Sequence, residues 1–476
     1  MSLLSRIAAP RDGISRIRTS PRLMLVGAGT LSYTIGGWIG VLAGDSLTGA
    51  GVVTILLCFV AGTTLCVLAL RPRIPQIFSR HVAIVNDGWL ALLGALLLSA
   101  IVTVFLAVGL LGNAWHGSIR YDSDAAAFNH FNAELALKGV NPYTADGFFW
   151  DAIRQFPASG ATPLRRGRYS DSALGPSLRQ IVRDVRSELA YPVTRGPEFS
   201  PSSLHSYPAL SFLVYAPGVW AGLPSTAFTS CVIWVLFLLA CGWGALSGMR
   251  VTVLTILLAN SLLAFWTLLG SFEIVALLPV VLAWRLLDRR WLSPVLLGLG
   301  CAVKQIVWPL VPFYAILVWR RDGWRAAMSR TATVVGTFAL VNLPYIVRNP
   351  NAWLSSQFLP VTLPIFPSGI GLVALGRAGI LPLWAPIVYT VLEVLALVAL
   401  LVWYARAGWQ LSPAIALVVG LLPIALSWHS LLSYFIAIPC LALAGVLSLP
   451  ASSWPVKPGE AYASPSEFSP IRAPGA

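Results

Sequence analysis

The chain has 476 residues, of which 57% are hydrophobic and only 11% are charged, and its mean hydropathy is +0.77. This composition excludes a soluble domain and predicts several membrane helices, each of which needs about 20 apolar residues. The net charge of +14 does not indicate a nucleic-acid-binding protein, because the basic residues form short clusters between apolar runs, as in the cytoplasmic loops of membrane proteins.

The N-terminal region predicts a first span that is preceded by a cytoplasmic segment. Residues 1–22 are basic, and the uncharged run at 23–44 is too long for a secretory signal and lacks its small-residue cleavage site. We therefore expect residues 1–22 to stay in the cytoplasm. The arginines of this segment are Arg6, Arg11, Arg16, Arg18 and Arg22.

Apolar runs continue to residue 449 and predict an all-α polytopic membrane protein, with a bundle of about 10–12 transmembrane helices within residues 23–449. The C-terminal residues 450–476 are rich in Pro, Ser and Ala and predict a disordered cytoplasmic tail. The uncharged or nearly uncharged runs lie at 23–44, 51–70, 88–112, 226–246, 251–270, 272–287, 331–347, 383–404, 411–427 and 431–449.

Two further apolar stretches do not fit simple spans. Residues 207–222 are few and contain two prolines, while residues 292–319 would form a helix about 42 Å long with Lys304 at its centre. If both stretches enter the membrane and return to the same side, the arginine clusters beside the spans lie inside, as the positive-inside rule requires. If both cross fully, Arg250, Arg289 and Arg290 lie outside. We favour the first topology, in which both are broken or re-entrant helices.

The loop at about 113–206 lies outside in either topology and is far longer than an ordinary helix connection. Its segment Ser177–Ala190 places apolar residues on one face and arginines largely on the other, which predicts an amphipathic helix on the membrane surface. A weaker helical pattern covers Ala125–Leu137 and is stopped by the turn residues from Gly139 onwards.

This external loop opens with two acidic residues, Asp122 and Asp124, just beyond a predicted span. A carboxylate at the membrane surface can act as a general base where a lipid-borne substrate meets a water-soluble acceptor. The alternative is that both residues cap the following helix. Their D-x-D spacing also suits a divalent metal, but two carboxylates supply too few of its roughly six oxygen ligands. We predict no cofactor, with a metal as the weaker alternative.

Four short motifs lie at and beyond this loop. They are G-x-N-P-Y at Gly139–Tyr143, S-Y-P-A-L at Ser206–Leu210, V-K-Q at Val303–Gln305 and W-H-S at Trp428–Ser430. Together they resemble, from about residue 88 to 449, the GT-C superfamily of polyprenyl-phosphate-sugar-dependent glycosyltransferases, and most of all glycosyltransferase family 87. The turn at Tyr207 departs from the commoner Y-P-P of that family.

The resemblance implies a GT-C-like bundle with a catalytic first external loop. It further implies inverting transfer of a sugar, with mannose among those expected, from a polyprenyl-phosphate donor to a glycan or glycolipid acceptor. The reaction would take place on the outer face of the plasma (inner) membrane, among membrane lipids. The family's loop acid corresponds best to Asp124, with Asp122 as the second choice for the general base.

The leaving phosphate of such a donor needs cations, because negative charge builds on its oxygen. Lys304 is the first candidate, since a charge deep in an apolar stretch is costly and usually functional. The alternative is that Lys304 forms an ion pair with Glu273 or Glu393 that only fixes helix packing. Glu273 itself either contacts substrate or simply begins a helix. The other substrate-binding candidates are Gln305, Arg348, His429, Arg120 and Tyr207.

The main alternative function is a multi-pass transporter or a lipid or glycan flippase, which should show interrupted helices and ionisable groups near mid-membrane. A ligase that uses a diphosphate-linked donor and an inactive scaffold are further alternatives. No phosphate-binding loop and no dinucleotide-binding glycine motif occurs in the sequence. We therefore do not expect a soluble nucleotide to bind.

Overall fold

The computed structural model of the protein describes most of the chain. Asp122 and most of the predicted amphipathic helix Ser177–Ala190 lie outside the described residues, as do residues 1–19 and 450–476. The described residues are 20–43, 49–71, 82–117, 120–121, 123–144, 148–158, 205–245, 249–362 and 365–449, with single positions 162, 164–165, 169, 180, 183–184 and 187.

Helices form nearly all of the regular structure in these ranges. A two-residue parallel pair joins β1 (Ser368–Gly369) and β2 (His429–Ser430), with Ser368 opposite His429. The helices are α1 (Pro21–Ala43), α2 (Gly49–Ala69), α3 (Val82–Trp115), α4 (Asp124–Leu137), α5 (Phe148–Gln155), α6 (Leu210–Leu213), α7 (Ala216–Trp220), α8 (Ala227–Gly242), α9 (Arg250–Leu258), α10 (Ser261–Leu268), α11 (Glu273–Arg285), α12 (Leu292–Val303), α13 (Leu310–Asp322), α14 (Trp324–Arg348), α15 (Pro350–Thr362), α16 (Leu372–Arg377), α17 (Pro386–Trp403), α18 (Trp409–Leu411), α19 (Ile415–Val419) and α20 (Ile438–Val446).

Five of the described helices are long and apolar enough to cross a membrane, and α9 with α10, bent by 55° at their junction, makes a sixth span if counted as one. The protein is therefore an all-α, multi-pass membrane protein. The five are α1, α2, α3, α14 and α17.

Other predicted runs form shorter or broken helices instead of straight spans. The run 251–270 breaks at Asn260, whose side chain accepts a hydrogen bond from the Leu263 amide and donates one to the Ile436 carbonyl. The runs at 411–427 and 431–449 likewise divide into short α- and 3₁₀-helices. Hydropathy did not predict these breaks, because a side chain that satisfies local backbone groups permits a break within apolar sequence.

Small residues allow α1 and α2 to pack closely. A Cβ atom on Gly36 would lie 2.7 Å from Cys58 Cβ, and one on Gly62 would lie 2.7 Å from the Tyr33 ring. Such small-residue contacts bring helix backbones together where no hydrophobic effect drives association. The Arg22 guanidinium also donates hydrogen bonds to the carbonyls of Ala69 (2.6 Å) and Arg71 (2.5 Å), which ties the start of α1 to the end of α2.

This end of the bundle collects many arginines, and we name it the basic end. Gly445 in α20 packs against Leu70, just beyond α2, and Arg285 at the end of α11 donates to Ser448 Oγ at 2.9 Å. Arg321 at the end of α13 pairs with Asp288. The ends of α2, α11, α13 and α20 therefore lie together.

The opposite end, which we name the loop end, carries helix α4 and Lys304. The stretch predicted to be irregular, 292–319, runs through α12 to Lys304, turns through a 3₁₀ segment at Gln305–Val307, and returns in α13 to Arg321. Its two ends therefore lie at the basic end. The stretch 207–222 lies at the loop end, since the α8 helix that follows it begins beside Tyr121 and ends beside Arg285. Both stretches are broken, as predicted.

Gly270 joins the spans to the long loop at about 113–206, which we call the external loop after its predicted position. Its φ is +106°, and a Cβ atom there would lie 2.5 Å from Ala126 Cβ and 2.9 Å from the Tyr121 ring. Only glycine combines this backbone conformation with this close approach. The junction between α10 and α11 is thereby held against the start of α4.

We expect Gly270→Ala to destabilise the protein by about 2–4 kcal/mol, because it adds backbone strain to an overlap with Ala126 and Tyr121. The measurement is thermal unfolding in detergent. Gly112→Ala is the matched control, because Gly112 lies inside α3 with no atom within 4 Å of an added Cβ. It should be neutral or slightly stabilising. Equal melting temperatures for the two variants would contradict the close contact at Gly270.

Candidate functional site

Helix α4 begins at Asp124, one residue before the predicted start at Ala125, so Asp124 is the first helical residue. Ser123 is the extended N-cap residue, and the helix ends at Leu137. The predicted stop is also present, because Gly139 has a φ of +75° and the amides of Gly139 and Val140 bond back to Ala136 and Leu135. The local sequence therefore fixes both the length of α4 and the position of Asp124.

The Asp124 carboxylate is buried, with 4% of the residue exposed. Oδ2 accepts from the Thr162 amide at 2.7 Å, while Oδ1 accepts from the Ala125 amide at 2.9 Å and from Thr162 Oγ1 at 3.3 Å. Burial raises the pKa of Asp124 above its ordinary value, and these hydrogen bonds oppose the rise. A carboxylate with a raised pKa is a stronger base than one at the protein surface.

Helix capping, the alternative role of Asp124, explains only part of its hydrogen bonding. Its carboxylate accepts from the amide of the next residue, but its strongest partner, the Thr162 amide, belongs to a distant part of the external loop. The side chain therefore ties α4 to the segment around residue 162. This contact is more than the terminal bond that a simple N-cap would make.

Tyr121 and His130 hold the start of α4 in place. The Tyr121 hydroxyl lies 2.8 Å from His130 Nδ1 and accepts from the Thr226 amide at 3.2 Å, at the start of α8. His130 stacks on Phe156 with ring centroids 3.8 Å apart. Burial lowers the pKa of His130 to about 4, so this imidazole is neutral at physiological pH. The residue is buried, with 3% of its surface exposed.

Lys304 and Glu273 form a buried ion pair at the loop end. Lys304 Nζ lies 2.7 Å from Glu273 Oε1, and each residue is 5% exposed. The same carboxylate oxygen accepts from Ser433 Oγ at 2.7 Å, while Glu273 Oε2 has no hydrogen-bond partner among the described residues. The pair anticipated as the alternative role of Lys304 is thus present, and it involves Glu273. Glu273 is also the first residue of α11, as predicted.

Three aromatic rings surround the ammonium of this pair. Lys304 Nζ lies 4.2 Å from the centre of the Phe272 ring, 5.0 Å from that of Tyr434 and 5.4 Å from that of Tyr207. A desolvated cation over aromatic faces gains about 2 kcal/mol from such contacts. The rings and the carboxylate together make it possible for the charge to lie within an apolar bundle.

Three of the sequence motifs meet beside Lys304. The Tyr143 hydroxyl donates to the Tyr207 carbonyl at 2.9 Å, and Gln305 Nε2 donates to the Ser206 carbonyl at 2.6 Å. The segments G-x-N-P-Y, S-Y-P-A-L and V-K-Q are therefore in direct contact, although more than 150 residues separate the first from the last. The side-chain amide of Gln305 is thus engaged with a backbone carbonyl. Both Gln305 and Tyr207 are half-buried.

His429 is linked to the external loop by the parallel strands. Its Nδ1 lies 2.8 Å from Ser368 Oγ, and the backbone of Ile365 pairs with Leu164, two residues beyond the Asp124 partner Thr162. Phe366 packs in the same cluster as Tyr121. The segment 365–369 thus connects the surroundings of Asp124 with those of His429.

The two remaining predicted arginines lie at the loop end but are exposed. Arg348 Nη1 donates to the Gly139 carbonyl at 3.1 Å and so fastens the end of α14 to the turn after α4. Arg120 precedes Tyr121 on the surface. The structure therefore brings Lys304, Glu273, Gln305 and Tyr207 together, whereas Arg348 and Arg120 lie at the rim of the loop end.

Sequence reasoning missed a pair of buried amides on α4. Asn129 and Asn132 are 1% and 0% exposed, and neither amide has a hydrogen-bond partner in the described part of the chain. It also missed Ser433 and the aromatic ring of Phe272. A signal was present for the asparagines, because they are three residues apart on a helix whose face is otherwise apolar.

Metal ligation was the weaker expectation for the acidic pair. Within the described ranges, no group of three or more His, Cys, Asp or Glu side chains is placed to hold a metal ion. The partners that the structure gives to the Asp124 oxygens are N–H and O–H donors. The six cysteines are all free, in line with a role in packing.

Comparisons with known proteins add no relative. The chain matches no protein-family model, no curated protein and no solved structure.

The Lys304–Glu273 pair predicts a non-additive pattern of stability. Lys304→Met alone leaves a buried carboxylate without its cation, and we expect a loss of about 3–5 kcal/mol. Adding Glu273→Leu removes the second charge and should restore most of that stability. The measurement is thermal unfolding of the single and double variants in detergent.

The matched control for this pair is Lys138→Met, because Lys138 pairs with Glu134 on the exposed surface of α4. Its melting temperature should stay near that of the wild type. A double variant no more stable than Lys304→Met would contradict the coupling of the two buried charges.

Proposed function

We propose that the protein is a membrane glycosyltransferase that moves a sugar from a polyprenyl-phosphate donor to a glycan or glycolipid acceptor, with inversion at the anomeric carbon. The observation that carries this proposal is the presence, at one end of the bundle, of the buried carboxylate Asp124 and the buried ammonium Lys304. Gly270 and the contact of Tyr207 with Phe272 link the two neighbourhoods. One group suits a general base and the other suits a phosphate.

The base step uses Asp124. As the acceptor hydroxyl oxygen forms a bond to the anomeric carbon, its proton passes to the carboxylate. Thr162 holds the carboxylate through an amide and a hydroxyl, so its orientation is fixed before substrate arrives. Preorganisation of this kind is what catalysis by proton transfer requires.

The leaving step uses Lys304. The bond between the anomeric carbon and the phosphate oxygen breaks, and its electron pair stays on the polyprenyl phosphate. Among the described residues, Lys304 gives one of its three N–H donors to Glu273, which leaves two for phosphate oxygens. Glu273 in this mechanism is a positioning residue for the lysine.

The depth of Lys304 fits a donor carried by lipid. Helix α11 has 13 residues and α12 has 12, so each is about 20 Å long, less than the roughly 30 Å of the hydrocarbon core. A helix of this length that starts at the basic end and runs along the bundle axis ends within the hydrocarbon core, which is the depth we infer for Glu273 and Lys304. A phosphate on a membrane lipid can approach such a site from within the bilayer. An outer-face plasma-membrane location with cytoplasmic termini is part of the same proposal.

A transporter is the second candidate, because two elements are broken as in transporters. The bend between α9 and α10 and the turn at Lys304 both interrupt apolar helices, and the turn at Lys304 contains one member of the buried ion pair. The transporter hypothesis gives no role to the buried Asp124 on the external loop. Sugar transfer therefore gives a role to more of the buried charged residues at the loop end.

We expect Asp124→Asn to lower sugar transfer by about 10²–10⁴-fold, because the general base is lost while the shape is kept. The measurement is transfer from radiolabelled polyprenyl-phosphate sugars to membrane extracts in nanodiscs. Asp151→Asn is the matched control, since Asp151 is an exposed loop residue paired with Arg154, and its activity should equal that of the wild type.

The result also separates the two candidate functions. If no donor supports transfer by folded wild-type protein, and the sugar lipid instead changes leaflet at a rate that depends on Lys304, the transporter proposal replaces the transferase. Full activity in Asp124→Asn would remove Asp124 from the base role.

The pH dependence of sugar transfer should change when the Thr162 hydroxyl is removed. The base must be ionised, so activity rises with pH through the raised pKa of Asp124. The Thr162 hydroxyl helps to lower that pKa, so Thr162→Val should move the acidic limb of the profile to higher pH. Thr162→Ser keeps a hydroxyl and should leave the limb unchanged. A Thr162→Val limb at or below the wild-type position would contradict this role.

A further inference from the structure

The basic end contains a cavity of about 300 Å³ that the proposed transferase reaction does not use. It lies between the ends of α11, α13 and α20 and the segment 412–414, at the opposite end of the bundle from Lys304. Its walls are formed partly by apolar residues such as Val281 and Leu417. Its polar lining residues are Arg285, Asp288, Arg321, Ser412 and Ser448.

Arg285 is an uncompensated cation in this cavity. Its guanidinium donates to the Cys241 carbonyl at 2.9 Å and to Ser448 Oγ at 2.9 Å, and both acceptors are neutral. Its buried Nε has no hydrogen-bond partner in the described part of the chain, and none of the described acidic residues pairs with it. A half-buried guanidinium with a spare donor binds anions well.

Ser412 supplies a second spare donor. The residue is 1% exposed, and its Oγ has no partner among the described residues. The next carbonyl, that of Pro413, accepts from Trp284 Nε1 at 3.2 Å and from the Tyr404 hydroxyl at 3.0 Å, which fixes the segment. A buried hydroxyl without a hydrogen-bond partner destabilises the fold, so a ligand atom that accepts a hydrogen bond here would offset that cost.

The charges at the cavity select for a singly charged ligand. Arg285 and Arg321 bring two positive charges to the lining and Asp288 brings one negative charge, so the lining residues have a net charge of +1. Outside the lining, Asp322 also pairs with Arg321, at 3.4 Å, and itself pairs with Arg330. Asp288 lies exposed at the mouth, where it pairs with Arg321 and would repel a second negative charge on a ligand. A phosphodiester carries one negative charge, whereas a phosphate monoester at pH 7 carries about 1.5 to 2 negative charges.

We propose that this cavity binds a phosphodiester monoanion, held by Arg285 and Ser412 with Arg321 at the mouth. The volume is about ten times the roughly 30 Å³ of one water molecule, which leaves room for a glycerophosphate group. Basic pockets between transmembrane helices are known to bind anionic lipid headgroups. The same chemistry occurs in soluble glycerophosphodiesters, and the experiment distinguishes the two sources.

The test is native mass spectrometry of the full chain in detergent with added phosphatidylglycerol. We expect a tightly bound first lipid, weakened about tenfold by Arg285→Gln and about threefold by Ser412→Ala. Ser412→Ala covers the case in which Arg285→Gln does not fold, because it removes a hydroxyl that has no partner within the described protein. Arg325→Gln is the matched control, since Arg325 is exposed near the same end outside the cavity.

The outcomes are distinct. Displacement of the lipid by soluble glycerophosphoglycerol, but not by the monoester glycerol 3-phosphate, would support the site with a soluble source. Failure of both to displace it would support a lipid source. Equal binding of phosphatidylcholine would overturn the requirement for a net negative charge. Equal losses of lipid binding in Arg325→Gln and in the cavity variants would overturn the cavity as the binding site, because binding would then follow surface charge alone.

Discussion

Burying a lysine and a glutamate among apolar helices costs several kcal/mol per ion unless the two charges pair and keep further hydrogen bonds. In this protein the cost is offset by the 2.7 Å contact of Lys304 with Glu273, by the Ser433 hydroxyl and by three aromatic rings. The pair requires the start of α11, the break after α12 and the segment at Ser433 to converge. The arrangement of the loop end depends on that convergence, since none of these segments can withdraw without exposing a charge to lipid.

The two ends of the bundle use their charges differently. At the basic end, arginines bond to helix-terminal carbonyls or to carboxylates near the surface, as Arg22 and Arg330 do. At the loop end, Arg120 and Arg348 are exposed at the rim, but Asp124, Glu273 and Lys304 are buried. Electrostatic interactions are stronger away from water, so the buried charges of the loop end are better suited to chemistry, while the arginines of the basic end are better suited to orienting the protein in the membrane.

Apolar composition predicted the membrane class, and the turn residues from Gly139 onwards predicted the stop of α4. The length of the apolar run 292–319 and the central Lys304 predicted that this stretch is broken or re-entrant. The partner of Asp124 could not be predicted, since Thr162 is 38 residues away and only tertiary packing brings its amide to the carboxylate. The pairing of Ser368 with His429 is hidden for the same reason. The break at Asn260 depends on a carbonyl of Ile436, which no local pattern contains.

The contact of Arg22 with the end of α2 bears on the order of assembly. Both partners lie within the first 71 residues, and the glycine-lined interface between α1 and α2 needs nothing that follows in the chain. During synthesis, this hairpin can therefore close as soon as its second helix has entered the bilayer. The later, shorter helices, with their buried charges, then meet an existing protein wall instead of bare lipid, which spares Lys304 and Glu273 a passage through hydrocarbon alone.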